Sequence, residues 1–250
     1  MSPKNFKRPT PLPLLIRWRT NLYTIPLFIL ATGFFGSCAL LVSLFEKSGR
    51  IQHRIAQNWA WWLVIFSGAR LTIEGAENLR LPTNAVYVSN HTSYMDTPVI
   101  FSALPFQFRI LARKQLWRIP FIGWYLHRSG QIPIDTANTQ ASLSSLGIGL
   151  KALRNRMNLF VFPEGGRTPN GVMKPFLAGA AYLAIRGKVP IVPIALEGVF
   201  DLLPLHSRHM FPRPVLMRVG NPISTDGYTL RQVDELNEKL RETIQQMLSN

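Results

Sequence analysis

The sequence predicts a layered α/β domain preceded by an N-terminal helical segment suited to a membrane. Three observations carry that expectation. From Leu71 onward, short runs rich in β-branched and aromatic residues alternate with stretches of helical periodicity. Ahead of them, Asn21 to Phe45 carries no formal charge and exceeds the about 20 apolar residues that a bilayer core requires. The 250-residue chain is 47% hydrophobic and only 16% charged, which allows a sizeable core and excludes a disordered chain.

The elements follow in order. Residues 1–20 hold Lys4, Lys7, Arg8, Arg17 and Arg19 among Pro3, Pro9, Pro11 and Pro13, and prolines lack the donor a helix needs. The apolar run Asn21–Phe45 then ends at Glu46, Lys47 and Arg50. It is longer than the about 7–15 apolar residues of a cleaved signal. Basic residues flank it on both sides, so a spanning helix and an in-plane helix with both ends in the cytosol are equally consistent. Residues 51–68 form a second apolar-aromatic helix. Its Trp59, Trp61 and Trp62 suit a headgroup boundary, or pack the helix on the core. This divides the chain into a basic, membrane-associated helical part (1–70) and an α/β domain (71–250).

Within the α/β part the candidate strands are 71–74, 85–89, 108–112, 131–134, 159–162, 191–196 and 215–220. Leu143, Leu146, Leu150 and Leu153 recur at helical spacing. Thr229 and Gln232 form a capping box before a last helix whose Leu230, Val233, Leu236, Leu240 and Ile244 share one face. Strand–helix alternation of this kind implies layers.

The charge narrows the partners. Lys plus Arg is 28 and Asp plus Glu is 13, so the balance is 28 − 13 = +15, which calls for an anionic partner or surface. High apolar content, with neither a zinc-finger pattern nor a basic region followed by heptads, argues against nucleic acid. A basic chain with 15 Phe, 6 Trp and 6 Tyr fits an anionic phospholipid membrane better. The one cysteine, Cys38, excludes a disulfide scaffold and a multi-cysteine zinc site.

Two polar clusters stand at strand ends, where α/β folds place ligands. The first is Asn90-His91-Thr92-Ser93-Tyr94-Met95-Asp96. On a continuous helix His91 and Asp96 would diverge by about 140°, so the pair needs a loop, with Asp96 at the start of the next helix and Pro98 in its first turn. Asp96 then accepts from one imidazole nitrogen and the other becomes a base. A capping Asp96 beside a core-bonded His91 is the plainer alternative. The second cluster is Phe162-Pro163-Glu164-Gly165-Gly166-Arg167-Thr168. Gly165 and Gly166 let the backbone approach a ligand, and Arg167 offers a fork for phosphate. Glu164 can accept from a substrate hydroxyl or hold Arg167. Between the clusters lies the acid-free basic tract Arg109, Arg113, Lys114, Arg118 and Arg128, interleaved with Trp117, Phe121, Trp124 and Tyr125.

Together these residues resemble the 1-acylglycerol-3-phosphate (PlsC-like) family of glycerolipid acyltransferases, over roughly residues 55–200. NHTSYMD (90–96) is similar to the family's NHxSxxD block. Lys114-Gln115-Leu116, Pro120, Gly123, Gly130 and IPID (132–135) resemble the second block, FPEGGRT (162–168) the third, and Val189–Ile194 the last. Four blocks in order make a specific signature. The sequence departs from the pattern at Gln115, Thr136, Gly166 and Leu177, two of them positions where a cation is usual.

The resemblance implies a layered α/β acyltransferase domain and acyl transfer from a thioester, acyl-CoA or acyl carrier protein, to the free hydroxyl of a lysophospholipid. Lysophosphatidic acid is the default acceptor. His91 would be the general base and Asp96 its orienting acid, while Glu164, Gly165, Arg167, Lys114, Asn90 and Ser93 would bind substrate. No cofactor or metal is implied, only the thioester co-substrate. The site would face the cytoplasmic side of a membrane, the inner membrane if the source is bacterial. A different lysolipid, or a non-catalytic protein that binds anionic lipid at a membrane, remains an alternative.

Overall fold

The computed structural model describes residues 14–80, 84–135 and 139–249. The basic and proline-rich positions before residue 14, and Thr136, lie outside the described residues. Seven strands form one sheet: β1 (Arg70–Glu74), β2 (Val86–Ser89), β3 (Phe108–Arg113), β4 (Ile132–Ile134), β5 (Asn158–Val161), β6 (Ile191–Glu197) and β7 (Pro214–Val219). Each lies within one residue of the run that predicts it. The helices are α1 (Leu14–Trp18), α2 (Ile25–Val42), α3 (Arg50–Ser67), α4 (Asp96–Ala103), α5 (Ile122–Arg128), α6 (Thr139–Arg154), α7 (Gly179–Gly187), α8 (Val199–Leu202) and α9 (Val233–Met247).

The sheet order is β1-β7-β6-β2-β5-β3-β4. β6, β2, β5, β3 and β4 run parallel, while β7 opposes β6 and pairs parallel with β1. Alternation along the strands feeds two cores. Tyr87, Phe108, Phe160 and Ile194 pack towards α3 and α4. Val86, Val88, Leu159 and Ala195 pack towards α7 and α9. A parallel sheet buried on both faces requires such flanking layers. The adjacent ends of β2 and β5 therefore open onto the rim where both polar clusters emerge.

The N-terminal part departs from the expectation in one respect. The described chain is helical from Leu14 and runs through a π-helical turn, Arg19–Thr24, into α2. Arg17 and Arg19 are therefore helical rather than flanking. Between Leu14 and Ile25 no proline removes a donor, and Pro26 is tolerated in the first turn of α2. The wide turn is tied down by its own side chains. Arg19 Nη2 and Thr24 Oγ1 both donate to Phe66 O, and Thr20 Oγ1 accepts from Met210 N. Leu14–Val42 is the one stretch among the described residues long and apolar enough to cross a membrane.

α3 lies between α2 and α4. Trp59 turns inward and donates its indole N–H to Thr32 Oγ1 at 3.1 Å, whereas Trp61 and Trp62 stay exposed. The reading that packs this helix on the core therefore holds for the Trp59 face, while Trp61 and Trp62 lie on the other face. His53 is buried between Phe101 and Phe108, its Nε2 3.0 Å from Phe106 O. Burial pushes its pKa down to about 4, so the ring stays neutral and binds α3 to the loop before β3. At the other end of the chain Thr229 and Gln232 form the expected capping box, which opens a 3₁₀ turn leading into α9. Leu236, Leu240 and Ile244 are buried, but Leu230 is exposed. It belongs to the 3₁₀ turn, whose tighter winding swings it off the buried face of α9.

Candidate active site

The loop after β2 brings His91 and Asp96 together. Asp96 is the first residue of α4 and fully buried. Its Oδ2 lies 2.8 Å from His91 Nδ1 and accepts the backbone N–H groups of Thr92 at 2.6 Å and Ser93 at 2.7 Å. A carboxylate gathering three donors can stay charged inside a protein. Since it only accepts, Nδ1 carries the imidazole proton and Nε2 presents its lone pair. The His91 side chain is 12% exposed, and no hydrogen bond within the described residues occupies Nε2. The ring of Phe162 stacks on the imidazole at 4.0 Å and 16°, which fixes the second axis of its orientation.

Glu164 ties the loop after β2 to two parts of its own loop, the one between β5 and α7. Oε1 accepts His91 N at 2.6 Å and Oε2 accepts Lys174 N at 2.8 Å. No ion pair forms between Glu164 and Arg167, so the option that Glu164 holds Arg167 is not realised. It is 7% exposed, and burial raises its pKa to about 7 against the pull of both amides. The folded value lies above the ordinary 4.5, so the native state holds this proton more tightly than the unfolded chain. The Glu164 contribution to stability is therefore fullest below about pH 4.5 and falls as pH rises through about 7. Glu164→Gln should abolish that slope in thermal unfolding measured from pH 4 to 8. It should also cost about 1–3 kcal/mol, because one backbone N–H loses its acceptor. With the His91 loop loosened, kcat should drop by up to about 100-fold.

The glycines of the second cluster have distinct uses. Gly165 takes a φ of +66°, a conformation that L side chains rarely adopt. Its carbonyl accepts from Arg113 Nη2 at 2.9 Å. A Cβ at Gly166 would lie 2.5 Å from that same Nη2. The departure from the family pattern at 166 thus leaves the Arg113 guanidinium its place. Lys174 Nζ donates to Arg167 O at 2.7 Å and to Gly166 O at 3.4 Å. Arg113 and Lys174 so bring two further cations to a chain that lacks the usual one at Leu177. Burial lowers the pKa of Arg167, while nearby Tyr94 and Asp96 raise it.

Three other candidates sit differently from the expectation. Asn90 is 2% exposed, and its amide exchanges bonds of 2.9 and 2.8 Å with Leu196 O and N. Its side-chain amide joins the loop to β6. Ser93 is fully buried with Oγ donating to Leu203 O at 2.8 Å, so its hydroxyl proton is committed within the protein. Lys114 is exposed at the start of a 3₁₀ turn, Lys114–Arg118, and no hydrogen bond or ion pair connects it to the pair. The amides of Thr92 and Ser93, committed to Asp96, are not free to hold an oxyanion.

No motif or spacing announces the cavity beside the pair. An apolar cavity of about 130 Å³ lies between α2, α3, α4 and α5, lined among others by Thr32, Phe35, Trp59, Thr97, Ile110 and Tyr125. Thr97 follows Asp96 directly, so the cavity adjoins the polar rim.

Comparison with known proteins agrees with this arrangement. A family model described as acyltransferase matches residues 70–197. The chain is 31% identical over 224 residues to the 1-acyl-sn-glycerol-3-phosphate acyltransferase of Saccharomyces cerevisiae, covering 87% of this chain and 73% of the yeast protein. It is 34% identical over 168 residues to a chloroplastic 1-acyl-sn-glycerol-3-phosphate acyltransferase of Arabidopsis thaliana, covering 66% of this chain and 47% of that one. The crystal structure of the 1-acyl-sn-glycerophosphate (LPA) acyltransferase PlsC from Thermotoga maritima superposes with a TM-score of 0.78 at 23% identity, over 92% of this chain and 95% of that one. That last likeness concerns the fold. The mixed sheet, the loops at the ends of β2 and β5 and the match across them lead to one conclusion: the chain belongs to the acyltransferase family.

Proposed function

We propose that this protein moves a fatty acyl group from a thioester, acyl-CoA or acyl carrier protein, to the free hydroxyl of lysophosphatidic acid, giving phosphatidic acid. The observation that carries this reading is the open Nε2 of His91, backed at Nδ1 by a buried carboxylate 2.8 Å away. Nε2 takes the proton of the acceptor hydroxyl as its oxygen attacks the thioester carbonyl. Asp96 stabilises the imidazolium that forms. The tetrahedral intermediate expels the thiolate, which takes its proton from the imidazolium, and an ester and a free thiol leave. Attack is direct, with no acyl-enzyme. Arg167 binds the acceptor phosphate and Gly165 lets it approach. Glu164 supports His91 through the backbone. The apolar cavity suits an acyl chain, and no cofactor takes part.

Residues 1–70 serve the membrane and 71–250 the chemistry. Ile29, Leu30 and Phe34 on α2, with Trp61, Trp62 and Trp124, expose apolar and aromatic surface of the kind that settles at an anionic phospholipid interface. The active site then works from the cytoplasmic face. The test is the purified full chain offered a panel of lysolipids with each thioester in turn. Lysophosphatidic acid should be acylated with the highest kcat/KM. Preference for an acceptor without a phosphomonoester would overturn the choice of acceptor, and transfer to none would overturn the reading.

A further inference from the structure

Arg167 is held without using any of its donors. It forms no ion pair, and no side-chain hydrogen bond from it occurs among the described residues; Nε in particular is enclosed and unpartnered. Among the described residues the guanidinium lies on a ring, with Cζ 3.8 Å from the centroid of Tyr94. A guanidinium attracted to a π face is anchored through its flat side, while its N–H groups point outward in its plane. A carboxylate in the same place would neutralise the charge and occupy two donors. Tyr94 itself is 53% exposed and so contributes little to the core. It sits two residues before Asp96, in the loop whose Thr92 and Ser93 amides hold that carboxylate. The loop that orients His91 thus also carries the platform under Arg167.

We propose that Tyr94 is a positioning residue for the acceptor: its ring holds Arg167 flat, with its terminal Nη donors free for the phosphomonoester, in fixed register with His91. This rests on the acyl-transfer reading above. A purely structural Tyr94 would affect every acceptor alike, whereas a phosphate platform affects only those that carry phosphate.

The experiment compares wild-type protein with Tyr94→Ala, Tyr94→Leu and Tyr94→Phe, on lysophosphatidic acid and on the corresponding 1-acylglycerol, which lacks the phosphate. Tyr94→Ala and Tyr94→Leu should raise KM for lysophosphatidic acid about tenfold, the order expected of a partly buried cation–π contact, with kcat within about twofold. Tyr94→Phe should restore KM to within about twofold, since the face and not the hydroxyl matters. Turnover of 1-acylglycerol, however slow, should be indifferent to all three. A Tyr94→Phe protein as impaired as Tyr94→Ala, an equal penalty on both acceptors, or no penalty at all would each overturn the proposal. Wild-type protein that fails to acylate lysophosphatidic acid would instead bring down the functional reading, and this inference with it.

Discussion

The His91→Ala protein should lose acyl transfer by at least about 10³-fold in kcat, with KM for the lysolipid nearly unchanged. The imidazole is the one side chain of the cluster that combines a proton-accepting nitrogen with an open approach, and no neighbour replaces it. Ser93 Oγ is buried and bonded to Leu203 O. Both Glu164 oxygens serve backbone amides. The fold should survive, because removing the ring takes one of three donors from Asp96 and leaves the amides of Thr92 and Ser93 in place. A cost of about 1–2 kcal/mol in chemical denaturation is expected. Kinetics and unfolding measured on the same preparation check both halves, and wild-type turnover would remove His91 from the mechanism.

Asp96→Asn should cost about 10²- to 10⁴-fold in kcat. The asparagine oxygen can still accept the amides of Thr92 and Ser93, so the loop should keep its shape. The negative charge that stabilises the imidazolium is gone. The new Nδ2 would occupy the place of Oδ1, which has no hydrogen-bond partner, so its N–H groups would be buried without an acceptor. A loss of about 1–3 kcal/mol in stability should therefore accompany the kinetic loss. An active Asp96→Asn protein would mean that the 2.8 Å contact with His91 serves only the loop.

Much of the fold was legible in the sequence because each strand is a short apolar run between turn formers, near-continuous in the central strands that are buried on both faces. The His91–Asp96 pair was legible because its loop spans five residues, within reach of local geometry. Contacts made across the sheet were not. Asn90 and Ser93 read as substrate ligands because they stand in the motif, and only the fold puts Leu196 and Leu203 against them. Tyr94 and Arg167 lie far apart in sequence, and stacking has no spacing to betray it. Glu164 looked free to meet a hydroxyl because one amide that claims it, of His91, lies in another loop and the other, of Lys174, lies ten residues on. Leu230 fits a helical face on paper, yet a 3₁₀ turn intervenes.

The cavity has a shared wall. Thr32, Phe35, Gly36 and Ala39 of the apolar helix close one side of it, against Phe121 and Tyr125. Cutting that helix away to make a water-loving fragment would not merely unmoor the domain. It would strip that side from the cavity, so the apolar helix and the chamber it walls must be inherited, and engineered, as one piece.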